Sequence, residues 1–428
     1  MSNIFVILLL FSLLTLIGIP IFATIGIATA FGLWFVDVPY TLLAQVGYNA
    51  LLPFPLLAIP LFILAGRLME VGGMAERMID VARALLIGYR GGLGMVTVAA
   101  CALFAALSGS GPATTAAVGT VTIPAMRRDG YPSRFASAVV ASGGALGSVI
   151  PPSNLLIIYG LVSDTSIPRL FLAGVLPGLM ISFFLLVVSY FSARRNKWGG
   201  STNKLQWGVF FKFVWAGKWS LGAPIIILGG IYGGIFTPTE AAGVAVFYSL
   251  FVGFFIYKGL TLKKIIDSLR FTALFSGLLI IIPPTIAFGQ LGAFFDLPAL
   301  VSHAITDITK NPVIIMMIIG IFYIFLGTFM DSLAQIVLFT GVFLPLVVGA
   351  GVDPVMFGVF TVITCEIGFL TPPVGANLNI AARLAGISIE DVSIGALPFI
   401  LAYLLGLIVL MYFPQVSLLL PNWAYGAS

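Results

Sequence analysis

Gly147-Ser148-Val149-Ile150-Pro151-Pro152-Ser153-Asn154 interrupts a long apolar segment, 135–163, of a 428-residue chain. An echo, Gly368-Phe369-Leu370-Thr371-Pro372-Pro373-Val374-Gly375, interrupts a second apolar segment, 356–380. An unbroken helix cannot hold a Pro-Pro pair. Two backbone donors are missing, and the residue before each proline is pushed out of the α region. In hydrocarbon the freed carbonyls need partners, so such a break persists only where it lines a cavity or binds something. Two breaks in corresponding places point to a transporter core.

The correspondence extends beyond the prolines. A shift of 221 residues lays Pro124, Gly130, Gly147, Pro151, Pro152, Gly174, Leu176 and Pro177 on Pro345, Gly351, Gly368, Pro372, Pro373, Gly395, Leu397 and Pro398. Seven of these eight matches are glycine or proline, with no insertion across 54 positions. This reads as an internal duplication, which secondary transporters commonly carry.

With 60% hydrophobic and only 8% charged residues, the chain falls in the class of polytopic helical membrane proteins. The N-terminal apolar run lacks a basic n-region and a small-residue cleavage site, so it reads as a first transmembrane helix. Cys101 and Cys365 lie inside apolar segments without a metal-ligand pattern, and read as small buried side chains. The net charge of +5 bears on membrane topology and gives no sign of nucleic acid. No Walker P-loop, helical metal-binding motif or histidine-paired nucleophile is present, so catalysis has little support.

The expected fold is an all-α polytopic membrane protein with an inverted structural repeat, two re-entrant helical hairpins and two discontinuous helices. The first repeat, 1–200, has scaffold helices over 1–66, a surface arm helix over 67–90, a hairpin over 92–126, a broken helix over 135–163 and a helix over 170–193. A basic cytoplasmic linker spans 201–219. The second repeat, 220–428, has scaffold helices over 220–291, a hairpin over 313–348, a broken helix over 356–380 and a helix over 393–412. The runs 92–107 and 113–126, joined by Ser108-Gly109-Ser110-Gly111-Pro112, fall short of a full crossing of about 20 residues. Their counterparts meet at Phe329-Met330-Asp331, where Asp331 aligns with Ser110.

If both hairpins return to the side they came from, 18 of the 20 lysines and arginines face one side, leaving Arg169 and Lys310 opposite. The charge pattern then expects ten full crossings, both termini outside, and a second half inverted relative to the first. The stretch 66–90 carries Arg67, Glu70, Arg77, Arg83 and Arg90 and reads as a helix on the cytoplasmic surface. Its counterpart, 289–311, sits outside with His303, and 261–270 forms a further interfacial helix inside. The Trp-rich stretch 194–218 is placed at the lipid headgroups as an anchor. Glu240 is expected to cap a helix with Thr237 or Thr239.

Each hairpin tip faces a broken helix. Half-helix N-termini suit an anionic group, and unwound carbonyls with half-helix C-termini suit a small cation. Ser108 and Ser110, with carbonyls of Gly147, Ile150 and Pro152, form one expected oxygen cage. Thr328 and Asp331, with carbonyls around Gly368, Thr371 and Pro373, form the other. Hard oxygen ligands favour an alkali cation. Ser153 and Asn154 begin a second half-helix, as Asn377 does, in positions that serve either a cap or a ligand. Asp331 and Glu366 are acids in intramembrane elements, where each costs roughly 2.5–3.5 kcal/mol unless compensated. Two other readings stay open: a binding-protein-independent, proton-coupled carrier using Asp331 and Glu366, and an intramembrane enzyme.

Gly229-Gly230-Ile231-Tyr232-Gly233-Gly234-Ile235-Phe236-Thr237-Pro238-Thr239-Glu240-Ala241-Ala242 resembles the signature of the large membrane subunit of tripartite ATP-independent periplasmic (TRAP) transporters. Ser108 to Thr115, Pro151-Pro152-Ser153-Asn154 and Gly368 to Asn377 are similar to that family's hairpin and broken-helix motifs. The resemblance implies an elevator-type, sodium-coupled importer in the bacterial inner membrane, with two or more sodium ions. It also implies a periplasmic substrate-binding protein and a small membrane subunit, here a separate polypeptide because the chain opens on a scaffold helix. The sodium sites would be the hairpin tips and helix breaks. Ser108, Ser153 and Asp331 would lie against the substrate, with Asn154 and Asn377 nearby. Family substrates include C4-dicarboxylates, sialic acids and other carboxylates. The chain as a whole looks most like the sialic-acid members, so N-acetylneuraminate is the expected substrate. Phe329 stands where Ser108 would map, so the two cation sites are not expected to be equivalent.

Overall fold

A computed structural model describes residues 2–86, 88, 91–198 and 207–426. Arg90, Lys204 and part of the expected linker lie outside the described residues. Every regular element among the described residues is helical.

The duplication seen in the glycines and prolines carries through to the elements. Gly111–Arg128, moved by 221 residues, lands on Ser332–Gly349, and Ser133–Ala145 lands on the start of Pro354–Phe369. Packing is exchanged between the halves. Ile21–Phe35 packs on Ile282–Phe294, while Pro238–Phe251 packs on Ala58–Val71. Likewise Ile167–Asn196 packs on Pro354–Phe369, and Ile389–Tyr412 on Ser133–Ala145. Such reciprocity is the mark of two interlocked inverted repeats.

The broken helices form the centre. Every residue from Phe135 to Ala145 is buried, as is every residue from Val355 to Phe369. A helix without a polar face has no other stable place, and the Ala, Ser and Gly positions of Ser133–Ala145 let its neighbours approach closely. Around them lie the hairpins Gly92–Ser108 with Gly111–Arg128, and Pro312–Gly327 with Ser332–Gly349. Gly109 turns the first hairpin at φ +61°, a region that glycine enters without steric cost.

Several expected boundaries shift. The arm helix is Met74–Leu86 and does not begin at 67. Ala58–Val71 continues through Arg67 and Glu70, whose Nη1–Oε2 ion pair at 2.6 Å extends the helix past its apolar run. It stops at Gly72-Gly73, with Gly73 at φ +86°. Residues 261–270 are not a separate surface helix but the opening turns of the 33-residue helical span Leu262–Phe294. Thr261 caps that span by accepting from the Lys264 amide at 3.3 Å. The surface helix expected over 289–311 is Leu297–Thr306, with His303 exposed. Thr41–Leu51 and Gln415–Tyr425 are helices the apolar pattern did not single out.

Among the described residues six helices are individually long and apolar enough to cross a membrane, and a seventh if Trp207–Ala216 and Lys218–Tyr232, bent by 62°, count as one span. The expectation of ten differs because it counts as crossings each broken helix and the short helices Ser2–Leu16 and Ile21–Phe35, and leaves out Ser332–Gly349, the hairpin arm among the six. Trp198, expected in a headgroup-level anchor, packs against Tyr131 and Phe135 with its ring tilted by 53° and 51° to theirs. Two smaller expectations hold. Both cysteines are buried and free, and Thr237 and Glu240 form a complete capping box.

Candidate functional site

The first hairpin tip is tied directly to the first helix break. The Asn154 amide donates to the Gly109 carbonyl at 3.1 Å, and the Gly111 amide donates to Ser148 Oγ at 3.0 Å. Ser153 caps Asn154–Ser163 by accepting from the Leu156 amide at 3.3 Å, and its own hydroxyl donates to the Ser148 carbonyl at 2.5 Å. Ser108 is buried, with its Oγ 2.6 Å from Thr114 Oγ1. Ser110 caps Gly111–Arg128. Gly147 packs so closely that a Cβ there would run into the Ser110 carbonyl. Ile150 and Pro152 complete the buried break. Ser108, Ser110, Gly147 and Pro152 of the first set of expected cation ligands are therefore brought to one place, while Ile150 packs toward Gly178.

The second hairpin meets its break in a similar manner. The Val374 amide donates to the Thr328 carbonyl at 2.9 Å. Gly327 and Gly368 face each other, since a Cβ on Gly327 would lie 2.7 Å from Gly368 Cα. Thr371 Oγ1 donates back to Ile367 at 2.9 Å, and Asn379 Nδ2 donates to the Val374 carbonyl. Asp331 caps Ser332–Gly349, accepting from the Leu333 amide at 2.9 Å. Its carboxylate sits deep in the fold yet keeps an exposed surface, as a cavity-lining group does. Thr371, Pro372, Pro373 and Val374 are half-buried to exposed.

Asn377 is placed differently from expectation. It is fully buried and donates from Nδ2 to Glu366 Oε2 at 3.1 Å. That pair lies against the first hairpin: a Cβ on Gly111 would be 2.9 Å from Glu366 Oε2 and 3.2 Å from Asn377 Nδ2. This contact spans both repeats, so nothing local in the sequence announces it.

Two cavities adjoin these tips. The inner one, inner only in lying between the tips since it is the more open of the two, has about 100 Å³ and is lined by Ser110, Ser148, Asn154, Asp331, Ser332 and Glu366, among apolar residues. The outer one, about 270 Å³, shares Ile63, Ser110, Pro112 and Phe275 with it and adds Ser108, Arg67, Glu70 and Phe271. Arg67 is the functional candidate that sequence reasoning missed. Its guanidinium lies 5.0 Å from the Phe271 ring centroid and its buried Nε has no hydrogen-bond partner. The signal lay in the spacing of Arg67 and Glu70, which continues the helix beyond its apolar run toward the hairpin tip. Gly66 confirms that approach, since a Cβ there would lie 3.0 Å from Ser108 Cα.

Comparison with known proteins gives consistent relatives. The profile described as "Tripartite ATP-independent periplasmic transporter, DctM component" matches residues 5–416. The chain is 39% identical to the isethionate TRAP transporter permease protein DctMQ of Oleidesulfovibrio alaskensis, over 95% of this chain and 65% of that protein. It is also 39% identical to the C4-dicarboxylate TRAP transporter large permease DctM of Pseudomonas aeruginosa, over 86% of this chain and 87% of that one. The sialic acid TRAP transporter large permease SiaM of Vibrio cholerae is 36% identical, with 96% of each chain covered. Among solved structures, the Alcanivorax borkumensis YdaH transporter shares the fold, with a TM-score of 0.57, 15% identity and 88% of each chain covered. With its paired hairpins and broken helices, this chain belongs to the DctM family, the large membrane component of tripartite ATP-independent periplasmic transporters.

Proposed function

We propose that this protein imports an organic acid across the bacterial inner membrane, coupled to sodium entry, by an elevator movement of the hairpins and broken helices against the remaining helices. The observation that carries this reading is the pair of hairpin tips, each hydrogen-bonded to its own helix break and both lining one inner cavity. Duplicated tip-and-break units place backbone carbonyls and helix ends where a cation and an anion can be held together. A tripartite transporter of this family works with a small membrane permease and a periplasmic binding protein, and the proposed orientation puts both termini on the periplasmic side.

The outer cavity is the better place for the acid. It is the larger of the two, it holds the only cationic side chain that lines either cavity among the described residues, and it opens onto Ser108 and Ser110. Arg67 is ion-paired through Nη1 to Glu70, and its buried Nε, which has no partner, is the donor left for a carboxylate or sulfonate. The identity of the acid is proposed only as a class. Relatives named for isethionate, C4-dicarboxylate and sialic acid are 39%, 39% and 36% identical, so N-acetylneuraminate has no specific support.

The test is uptake into proteoliposomes holding this chain and its small subunit, with the binding protein outside. N-acetylneuraminate, a C4-dicarboxylate and isethionate are offered with and without an inward sodium gradient. Uptake of one of them that requires both sodium and the binding protein is the expected result. Uptake that survives without either would overturn the coupling and the three-part delivery, and would favour a proton-coupled carrier.

A further inference from the structure

Glu366 has no counterpart in the first repeat, where Ala145 stands at its position. Ser148 likewise aligns with Phe369, and Asn377 with Leu156. The polar cluster around Glu366 is therefore not a copy of a duplicated site. Its chemistry is unbalanced. Glu366 is fully buried, Oε2 accepts from Asn377 Nδ2 at 3.1 Å, the Ser148 hydroxyl also faces its carboxylate, and Oε1 has no hydrogen bond of good geometry. Asn154, 8% exposed, spends its backbone amide on Gly109 and leaves Oδ1 unpartnered. Ser332 is 2% exposed, and its Oγ has no partner stronger than the Cys365 thiol beside it. All three residues line the inner cavity.

Unpaired buried oxygens are costly, and an unpaired buried carboxylate is the most costly of them. A cavity of about 100 Å³ holds roughly three waters at about 30 Å³ each. That is room for a partly hydrated ion. The available donors are carboxylate, amide and hydroxyl oxygens, with no imidazole, which select a hard cation. Charge sets its valence. Asp331 caps Ser332–Gly349, whose start carries a partial positive charge of about +0.5, and Gly111, the first residue of Gly111–Arg128, brings a like helix start against Glu366. Two carboxylates facing two helix starts leave about one unit of negative charge, which a single monovalent cation matches.

We propose that the inner cavity is a monovalent cation site of its own, a sodium site additional to the two at the helix breaks, with Glu366 Oε1, Asn154 Oδ1 and Ser332 Oγ as its protein ligands. This rests on the sodium-coupled reading. The site ties the first break, the second hairpin and the second broken helix together. Filling it would lock the two repeats' mobile elements into one body.

The experiment counts radioactive sodium bound per transporter on the purified complex of this chain with its small subunit. It needs neither substrate nor binding protein. Glu366→Gln is expected to bind one sodium fewer than the parent. In sodium-free potassium buffer it should unfold no earlier than the parent, since a neutral amide removes an uncompensated buried charge. Added sodium should then raise its Tm less than the parent's. Asn154→Leu keeps the backbone bond to Gly109 and is expected to weaken sodium binding by about tenfold, a loss of one ligand worth about 1.4 kcal/mol. A parent that binds no sodium would sink the coupled reading itself. A sodium-binding parent whose Glu366→Gln form binds the same number would sink the extra site alone, as would proton release or calcium binding in place of sodium. If Glu366→Gln cannot be purified folded, an Asn154→Leu isotherm identical to the parent's is equally decisive against it.

Discussion

The two helix breaks share a backbone plan and differ in how tightly they are sealed. From Val149 to Asn154 every residue of the first break is buried, whereas Thr371 to Val374 in the second run from half-buried to exposed. The first tip turns on Ser108 to Pro112, small residues that sit against the break through two backbone amides. The second tip carries Phe329, 40% exposed, and Asp331. Duplication thus preserved the glycine and proline positions that shape the chain. The side chains then divided the work: one break became a rigid floor, and the other became the part with room to move.

The sharpest challenge to this comparison is a methyl group at each glycine of the aligned pair Gly147 and Gly368. At Gly147 the added Cβ runs into the Ser110 carbonyl and lies 2.5 Å from Thr114 Oγ1. At Gly368 it lies 2.5 Å from Gly327 Cα. Overpacking of this kind costs about 1–3 kcal/mol and occasionally more. Gly147→Ala is expected at or above the top of that range, because nothing between Leu146 and Asn154 can yield. Gly368→Ala should fall lower, since the exposed turn after it can shift. Thermal unfolding of both variants in detergent checks the order, and the reverse order would mean that the second break is the rigid one.

Much of this frame was legible in the sequence because glycine and proline act locally. A Pro-Pro pair breaks a helix wherever it stands, and a glycine at positive φ marks a turn without knowledge of its neighbours. The tips, the breaks and the repeat follow from such residues. Arg67 was not legible in its true place, because the end of an apolar run was read as the end of a helix, while the Arg67–Glu70 pair carries that helix further. Glu366 was visible as a costly acid but not as a neighbour of Gly111, since that contact joins residues from opposite repeats. Asn377, expected at the substrate, is committed to the same cluster for the same reason.

A smaller contrast separates Ser153 from its counterpart Val374. Ser153→Ala removes a helix cap and leaves the buried Ser148 carbonyl without its 2.5 Å donor. The expected loss is about 2 kcal/mol, combining a cap with an orphaned acceptor. Val374 is 48% exposed, so Val374→Ala should stay within about 0.5 kcal/mol of the parent. Chemical denaturation of the two variants side by side tests the claim. Equal losses would show that the sealed first break carries no special share of stability.

The smallest effect is expected where the repeats should not differ at all. Gly130 and Gly351 end the second arm of each hairpin at φ +83° and +84°. In each turn the residue after the glycine reaches back five positions, Tyr131 to the Met126 carbonyl at 3.0 Å and Val352 to the Val347 carbonyl at 2.9 Å. That is the left-handed helix ending in which glycine is favoured because a Cβ is strained there. Neither glycine has any atom within 4 Å of an added Cβ, so strain is the only cost of alanine. Gly130→Ala and Gly351→Ala should therefore each lose about 1 kcal/mol, and by the same amount. A marked difference between them in thermal unfolding would place the asymmetry of the two halves in the hairpin ends as well, and the sealed break would no longer be its sole source.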